Sequence, residues 1–266
     1  MNERSGKFLL SKWYLDCVTE DGETFIGYSA RLLWHNVSLQ FSSLFTHTTQ
    51  SGPRTRSTLL AARPPQNHAG TIQWEVPRIG VSGSWEALCV PVERTLYEDT
   101  AGTILWSCYQ PASRAEITLD GDRRLRGDGY AECIEMTVEP WILGMDELRW
   151  GRFVSGSESV VWIDLRGSTA IREVFHNSAK IPGCTVTDSE LSFGGGTSRL
   201  TLGDTVALRD ERLVSGALSM IPGLGSFVPE GVLNARETKW RSRGKLERTD
   251  RPELAGWVIH ELVKFS

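Results

Sequence analysis

Apolar and polar residues alternate along most of this chain with the two-residue period of a β-strand. Sustained stretches with the period of an α-helix are hard to find. Turn residues separate the alternating runs, and the Asp21-Gly22 pair between two β-rich runs is typical of a hairpin. Residues 48–70 contain several prolines and glycines and are predicted to form a long polar loop. The pattern predicts an all-β protein of antiparallel strands with short connections.

The second half of the chain repeats features of the first. Three pairs of segments are similar at a separation of about half the chain: the strands at Trp13 and Trp150, Arg114–Ile117 and Arg243–Leu246, and Gly129-Tyr130 and Gly256-Trp257. We infer an internal duplication, with chance similarity as the alternative because each match is short. Closure removes exposed sheet edges, so we predict two antiparallel β-barrels related by internal duplication, at residues 1–139 and 140–266, with strongly curved sheets as the alternative.

One predicted strand places an acidic residue on an apolar face. In residues 129–138, Glu132 shares a face with Tyr130, Ile134 and Met136, because residues two apart lie on the same side of a strand. Burial among apolar side chains favours the neutral form of a carboxyl group. An acid that stays protonated near neutral pH can donate a proton to a substrate, so Glu132 is the leading candidate for a catalytic acid.

Two acidic residues have structural alternatives to catalysis. For Glu132 the alternative is an ion pair with Arg149 or Arg152, which would hold the carboxyl in its charged form. Asp164 is a second candidate catalytic residue, because it shares a strand face with Trp162. Its alternative is likewise an ion pair or an exposed position.

The ten tryptophans are the outlier of the composition. Large rings either fill a core or line a cavity for an apolar ligand. Four of them are predicted to bind substrate, with plain core packing as the alternative: Trp13, Trp106, Trp150 and Trp162. For His260, beside a glutamate, we expect a structural role rather than that of a general base.

Composition narrows the class of protein. A chain of 266 residues with 40% hydrophobic residues and a net charge of −4 can bury a large core, and it gives no electrostatic reason to expect nucleic acid as a partner. No stretch is long and apolar enough for a signal peptide or a membrane span. The five scattered cysteines indicate reduced thiols in a cytoplasmic protein. Neither a metal-ligand motif nor a phosphate-binding glycine motif is present, so no metal and no cofactor are expected.

The motifs around Glu132 resemble those of the hydroxyneurosporene synthase family, the carotenoid 1,2-hydratase-like group with a double lipocalin-like calycin fold. The resemblance rests on six segments that span most of the chain: Trp13–Asp16, Gly129–Glu132, Thr137–Trp141, Leu148–Phe153, Val161–Asp164 and Gly256–Glu261. It implies that each predicted barrel is lipocalin-like.

The resemblance also implies proton-initiated chemistry on an isoprenoid double bond. In such chemistry an acid protonates the alkene, and water or cyclisation quenches the carbocation. The family's acid, two positions after a tyrosine, falls on Glu132 after Tyr130, with glutamate in place of aspartate. A tryptophan of the family site corresponds to Trp106. The family's histidine has no counterpart, since no histidine lies between His68 and His176.

These observations lead to two expectations about function. The first is a cofactor-independent hydratase, cyclase or isomerase that protonates a small apolar isoprenoid or polyene substrate in an aromatic-lined cavity. The alternative is a non-catalytic lipocalin-like carrier of a similar ligand. No oligomeric state follows from the sequence.

Overall fold

A computed structural model of the protein describes residues 8–35, 37–59, 63–212 and 233–265. The chain divides into two compact units, residues 1–142 and 143–266. The described residues are mostly antiparallel β-strands, which confirms the all-β prediction. Among them, no helix combines the length and apolar character that crossing a membrane requires.

In the first unit, the part of the chain that the structure describes forms one antiparallel sheet of ten strands. In chain order these are β1 Leu9–Thr19, β2 Thr24–Trp34, β3 Val37–Thr48, β4 Gly52–Thr58, β5 Gln66–His68, β6 Thr71–Val76, β7 Val81–Ala87, β8 Val92–Asp99, β9 Gly102–Leu119 and β10 Arg123–Met136. Their order in the sheet is β4-β3-β2-β1-β10-β9-β7-β6-β5, and β8 also pairs with β9. The predicted Asp21-Gly22 turn joins β1 to β2, and Gly22 has a φ of 87°, which glycine adopts readily.

Contacts across this sheet show that it is strongly curled. Phe25 on β2 and Trp74 on β6 are separated by four intervening strands, yet their ring centroids lie 6.5 Å apart. Both rings belong to one hydrophobic cluster that also contains Trp85, Leu15 and Ile117. The concave face of the sheet therefore encloses the core of the first unit.

The polar segment at residues 48–70 contains two strands, so the prediction of a continuous loop was wrong. β4 pairs with β3 at the edge of the sheet, and β5 pairs with β6 at the opposite edge. Edge strands have one side open to solvent and often contain proline and charged residues. Pro53 and Arg54 in β4 fit that pattern, and their polarity gave the segment the appearance of a loop.

The described residues of the second unit form an antiparallel sheet of nine strands. They are β11 Met145–Ser155, β12 Glu158–Gly167, β13 Ile171–His176, β14 Ala179–Lys180, β15 Thr185–Val186, β16 Glu190–Phe193, β17 Ser198–Arg212, β18 Arg236–Arg248 and β19 Arg251–Lys264. Their order is β14-β13-β12-β11-β19-β18-β17-β16-β15. A hydrophobic cluster that includes Phe153, Trp162 and Phe193 forms its core. Gly151 is required beside this core, because a Cβ there would collide with the Trp162 ring.

The two sheets repeat the same plan. In each, the first strand lies at the centre between the second strand and the last, and the remaining strands follow in the same order on both sides. The central strands β1 and β11 each end in a run of five buried residues, Tyr14–Val18 and Trp150–Val154. This match supports the inferred duplication, but it equates Trp150 with Tyr14 rather than with Trp13.

A carboxylate anchors the end of the first unit. Glu139 accepts hydrogen bonds from the indole nitrogens of Trp34, at 2.7 Å, and Trp141, at 3.1 Å. The two indole rings meet edge to face, with centroids 5.2 Å apart. Trp141 lies in the short 3-10 helix Pro140–Leu143, so these bonds tie that helix to the end of β2.

Candidate active site

Three adjacent strands bring the predicted acid and its neighbours together. In the ladders of β1, β10 and β9, Glu132 lies directly opposite Tyr14 on one side and Cys108 on the other. Because side chains two apart share a face, Tyr130 and Trp106 lie on the same face of the sheet as these three residues. This face is opposite to the one that forms the hydrophobic cluster of the first unit.

Two neutral donors bind one oxygen of the Glu132 carboxyl group. The indole Nε1 of Trp106 and the hydroxyl of Tyr130 each donate to Oε2 at 2.6 Å. Trp106 is 2% exposed and Tyr130 is fully buried, so both donors are held in place by packing. With both acceptor positions of Oε2 occupied, a proton on this carboxyl group would reside on Oε1. The structure thus brings together three residues predicted from the sequence.

A buried thiol that sequence analysis did not single out adjoins this group. Cys108 is fully buried and lies directly opposite Glu132 in the pairing of β9 with β10. Burial first, and the nearby Glu132 second, raise the pKa of the Cys108 thiol well above its usual value, so it stays protonated. Burial likewise raises the pKa of Tyr130 well above its usual value, which keeps the phenol a donor. All five cysteines of the chain are free.

Two further tyrosines extend the aromatic surface on this face. The ring of Tyr14 contacts Tyr130 and Tyr28 edge to face, with centroids 6.0 and 5.5 Å away. The ammonium group of Lys12 lies 5.2 Å from the centre of the Tyr28 ring. Sequence analysis missed Tyr14 and Tyr28; their position opposite each other in the β1–β2 hairpin was the available signal.

An irregularity in β9 shapes the site. Between Gly129 and Glu132 the register shifts twice, so that β9 uses two more residues than β10 over the same length. Pro111 lies within this bulge, where a strand tolerates the missing N–H of proline. Bulges redirect side chains and are common beside active sites. This one places Cys108 directly opposite Glu132.

Trp13 does not join the group around Glu132. It alternates with Tyr14 along β1 and therefore lies on the opposite face of the sheet. Its ring stacks on that of Tyr109, with centroids 4.9 Å apart, and packs against the core cluster of the first unit. This placement matches the alternative of core packing and not a surface shared with Glu132.

The remaining predicted site residues lie in the second unit. Asp164 is 1% exposed and accepts hydrogen bonds from Arg166, at 2.6 and 2.9 Å, and from Arg172, at 2.9 Å. Two guanidinium groups on one carboxylate are typical of a structural ion pair. The ring of Trp162 belongs to the core cluster of its unit. Trp150 is buried, with the ammonium group of Lys239 5.6 Å from its ring centre.

The arginines that could have paired with Glu132 have described contacts of their own. Arg149 binds Glu147 and Asp188. Arg152 is fully buried and donates to the backbone oxygen of Trp257 at 3.0 Å.

A buried lysine organises charged groups in the second unit. The Nζ atom of Lys239 forms ion pairs with Glu261 and, at 3.3 Å, with Glu237, and the lysine side chain is 4% exposed. His260, on the same pair of strands, stacks on Trp240 and bonds to the hydroxyl of Ser242 at 2.9 Å. Burial lowers the pKa of His260 to about 4, so the imidazole is neutral near pH 7, as a structural role requires.

A cavity of about 750 Å³ lies elsewhere in the first unit. Its lining is largely polar and includes Arg63, Gln73, Ser84 and Glu116. Glu132 and the four predicted tryptophans are not among its lining residues, so it is not the predicted aromatic-lined cavity. Within the described ranges, no cluster of three or more histidine, cysteine, aspartate or glutamate side chains is arranged to hold a metal ion.

Comparison with known proteins identifies the fold. No protein-family profile and no curated protein sequence matches this chain. Among solved structures, CghA matches with a TM-score of 0.60 at 10% identity, and CghA with Sch210972 with a TM-score of 0.58 at 9% identity. Kievitone hydratase from Nectria haematococca matches with a TM-score of 0.54 at 10% identity. Each match covers 97% of this chain and 89% of the other. This chain therefore shares the fold of these solved structures, a double lipocalin-like arrangement of two curled antiparallel sheets.

Proposed function

We propose that this protein is a cofactor-independent enzyme that protonates a carbon–carbon double bond of an isoprenoid or polyene substrate, with Glu132 as the proton donor. The observation that carries the proposal is that Trp106 and Tyr130 donate to the same oxygen of the Glu132 carboxyl group. They orient the carboxyl group and direct its acidic proton to the other oxygen. The proposed site belongs to the N-terminal domain, residues 1–139.

The two donors also assist loss of the proton. When Glu132 gives up its proton, negative charge develops on the carboxylate, and hydrogen bonds to a charged acceptor are about twice as strong as neutral ones. Both donors are already in position, so no reorganisation is needed as the charge forms. Fixed neutral donors therefore stabilise the product of proton transfer more than its starting state.

The aromatic face supports the second requirement of this chemistry. Protonation of an alkene leaves a carbocation, and aromatic ring faces attract cations. Tyr14, Tyr28, Tyr130 and Trp106 provide such rings around Glu132. Water can then add to the cation and return a proton to the Glu132 carboxylate, which gives hydration. Attack by a second double bond of the substrate, followed by proton loss to the carboxylate, gives a cyclised isomer.

The fold neighbours agree with this class of reaction. One of them is named a hydratase, and another was solved with the compound Sch210972. Their identity with this chain is about one residue in ten, so they support a hydratase or cyclase only as a class. The substrate has to be found by experiment.

The test is turnover in deuterated water. The purified protein is incubated with a panel of isoprenoids and polyenes, and products are identified by mass spectrometry and NMR. Proton donation predicts one solvent-derived deuterium on a carbon of the product, together with added water or an unchanged molecular formula. The E132Q variant should lose at least about a hundredfold in rate, as expected for removal of a general acid.

A matched control is E135Q, since Glu135 is exposed on the same strand, and this variant should keep wild-type activity. Near wild-type turnover by E132Q would overturn the assignment of the acid. Tight binding of panel members without any product would identify the protein as a carrier instead.

A further inference from the structure

The polar cavity of about 750 Å³ in the first unit has a regular floor. The strands β6, β7 and β9 lie side by side, and each directs every second side chain away from the hydrophobic cluster. All six floor residues line the cavity, and strand pairing arranges them in two rows, Gln73 beside Ser84 beside Glu116, and Glu75 beside Ser82 beside Thr118. The cavity therefore lies on the face of these strands that is opposite to the core.

The sizes of the side chains give this floor the shape of a trough. The middle strand β7 contributes the short side chains of Ser82 and Ser84, whereas Gln73, Glu75 and Glu116 on the strands beside it are long. Two strand spacings, about 10 Å in all, separate the backbones that carry the long side chains on the two sides. A six-membered ring of a ligand can lie between them and reach the serine hydroxyls.

Two anchored segments next to β6 complete the lining. The backbone oxygen of Arg63 accepts hydrogen bonds from Ser29 Oγ, at 3.2 Å, and from Trp74 Nε1, at 3.1 Å. Arg78 belongs to the 3-10 helix Pro77–Ile79, whose last residue is buried in the hydrophobic cluster. Both arginines therefore line the cavity from backbone that is held in place.

The lining favours hydrogen bonding over burial of apolar groups. It has three hydroxyls, two amides, two carboxylates and two guanidinium groups. Hydroxyls and amides both donate and accept hydrogen bonds, as the hydroxyls of a ligand do. Acidic and basic side chains are equal in number, so the lining has no net charge for a ligand to neutralise. The ring of Trp74, the tryptophan in the lining, is 2% exposed and offers an apolar ligand little surface.

We propose that this trough is a binding site for a neutral saccharide, separate from the proposed site at Glu132 and independent of its activity. Carboxylate, amide and guanidinium groups can each bind two neighbouring hydroxyls of a sugar, and the serine hydroxyls of the floor bind a third. Each such bond replaces a bond to water and contributes little net free energy, so we expect a Kd of about 1 mM.

Saturation-transfer NMR with the full-length protein tests the proposal. The probes are maltotriose, cellotriose and mannotriose, each at about 5 mM, which exceeds the expected Kd. At least one of them should receive saturation from the wild-type protein. The S84F variant fills the floor of the trough and should abolish the signal. The matched control is S57F, because Ser57 is an exposed serine of the edge strand β4 that lies outside the lining, and it should keep the signal.

A second pair of variants removes hydrogen bonds without filling the trough. Gln73 and Gln40 are both exposed glutamines on strands, and of the two only Gln73 lines the cavity. Q73L should raise the Kd about fivefold, as expected for the loss of one or two hydrogen bonds, whereas Q40L should leave it unchanged. Urea unfolding should give wild-type midpoints for both, since both positions are exposed.

Three results would overturn the proposal. The first is the absence of saturation transfer to all three trisaccharides in the wild-type protein. The second is an equal signal in S84F and wild type, which would place the binding elsewhere. The third concerns charge, because Arg126 lies beside Glu116, at 2.8 Å, and adds a positive charge near the lining. Glucose 6-phosphate and glucosamine are therefore compared with glucose, and binding of either at least about tenfold tighter would exclude a neutral ligand.

Discussion

Glu132 and Glu261 occupy equivalent positions in the two sheets. Glu132 pairs with Tyr14 on the central strand of the first sheet, and Glu261 pairs with Trp150 on the central strand of the second. Tyr14 and Trp150 begin the matching buried runs of those strands. The repeated plan of the two sheets therefore has a carboxylate at the same place in each.

The neighbours of the two carboxylates differ in charge. Strand β9 places the neutral Cys108 opposite Glu132, whereas strand β18 places Lys239 opposite Glu261. Lys239 forms an ion pair with Glu261. We infer that the copy in the second unit has become a structural ion pair, while the copy in the first unit retains the neutral donors suited to an acid.

Replacing Lys239 should strongly destabilise the second unit. The K239M variant leaves Glu237 and Glu261 without their shared ammonium group, and breaking a buried ion pair from one side costs about 3–5 kcal/mol. Urea unfolding at pH 7 measures the loss. Adding E261Q to K239M should recover part of it, because one uncompensated carboxylate is removed.

The matched control is K245M. The Lys245 side chain is 62% exposed and lies 3.6 Å from Glu253, and exposed ion pairs contribute about 0–1 kcal/mol. Equal effects of K239M and K245M would contradict the structural importance of the buried pair.

Removal of the indole donor to Glu132 should affect activity more than stability. W106F keeps an aromatic ring but loses the hydrogen bond to Oε2, and turnover should fall about tenfold. W74F is the comparison, since Trp74 is equally buried at 2% exposure and lies in the core cluster. Both variants should lose similar unfolding free energy, and only W106F should lose activity. Equal activity in the two would remove Trp106 from the proposed site.

His260 should make stability depend on pH between neutral and mildly acidic conditions. Its pKa falls from 6.5 to about 4 on folding, because the ring is buried. Below pH 6.5 the unfolded chain therefore binds a proton that the native protein does not, and stability decreases as the pH is lowered toward 4. From pH 7 to pH 5 the loss from this residue is about 2 kcal/mol.

Urea unfolding at several pH values tests this effect. H260Q should flatten the decrease between pH 7 and pH 5, because glutamine does not titrate. H68Q should leave it unchanged, since His68 is exposed. A decrease of the same size in H260Q as in wild type would show that other groups cause it.

Glu139 should contribute to the stability of the first unit. In E139A the indole nitrogens of Trp34 and Trp141 both lose their acceptor, and leaving donors unsatisfied in a partly buried place costs about 2 kcal/mol. E135A removes an exposed glutamate from the preceding strand and should cost almost nothing. Thermal and urea unfolding of the two variants provide the comparison.

Alternation of apolar and polar residues was sufficient to predict the all-β fold class. The two-residue period identified antiparallel strands, and the Asp21-Gly22 pair forms the predicted hairpin turn between β1 and β2. The alternating pattern did not identify β4, because an edge strand buries few side chains and its polar sequence resembles that of a loop.

Half of the site could be predicted in the same way. Tyr130 and Glu132 are two apart on one strand, so their shared face is a local property of the sequence. Cys108 and Tyr14 meet Glu132 through pairing between strands, which depends on register. The register of β9 depends on the bulge, and Pro111 was the residue in the sequence that could have indicated this bulge.

Residue-level matches between the halves were correct in one place. Ser113 of β9 and Ser242 of β18 occupy equivalent positions in the pairing with the last strand of their sheets. Arg114 and Arg243 directly follow these serines, so strand pairing equates the two arginines, as predicted. Trp150 corresponds to Tyr14, one residue away from the predicted Trp13. Such a slip exchanges the two faces of a strand, so Trp13 lies on the core face of its sheet whereas Trp150 lies on the face opposite the core cluster of its own.

The bulge in β9 is a local difference between two sheets that share one plan. Cys108 and Ser113 span the same stretch of partner strand in the first sheet as Lys239 and Ser242 do in the second, but with two more residues. The two extra residues lie inside the bulge, so β9 keeps its pairing with β10, and the faces of its side chains, on both sides of it. The two sheets therefore share one architecture while they place different residues, a cysteine and a lysine, opposite the equivalent carboxylate.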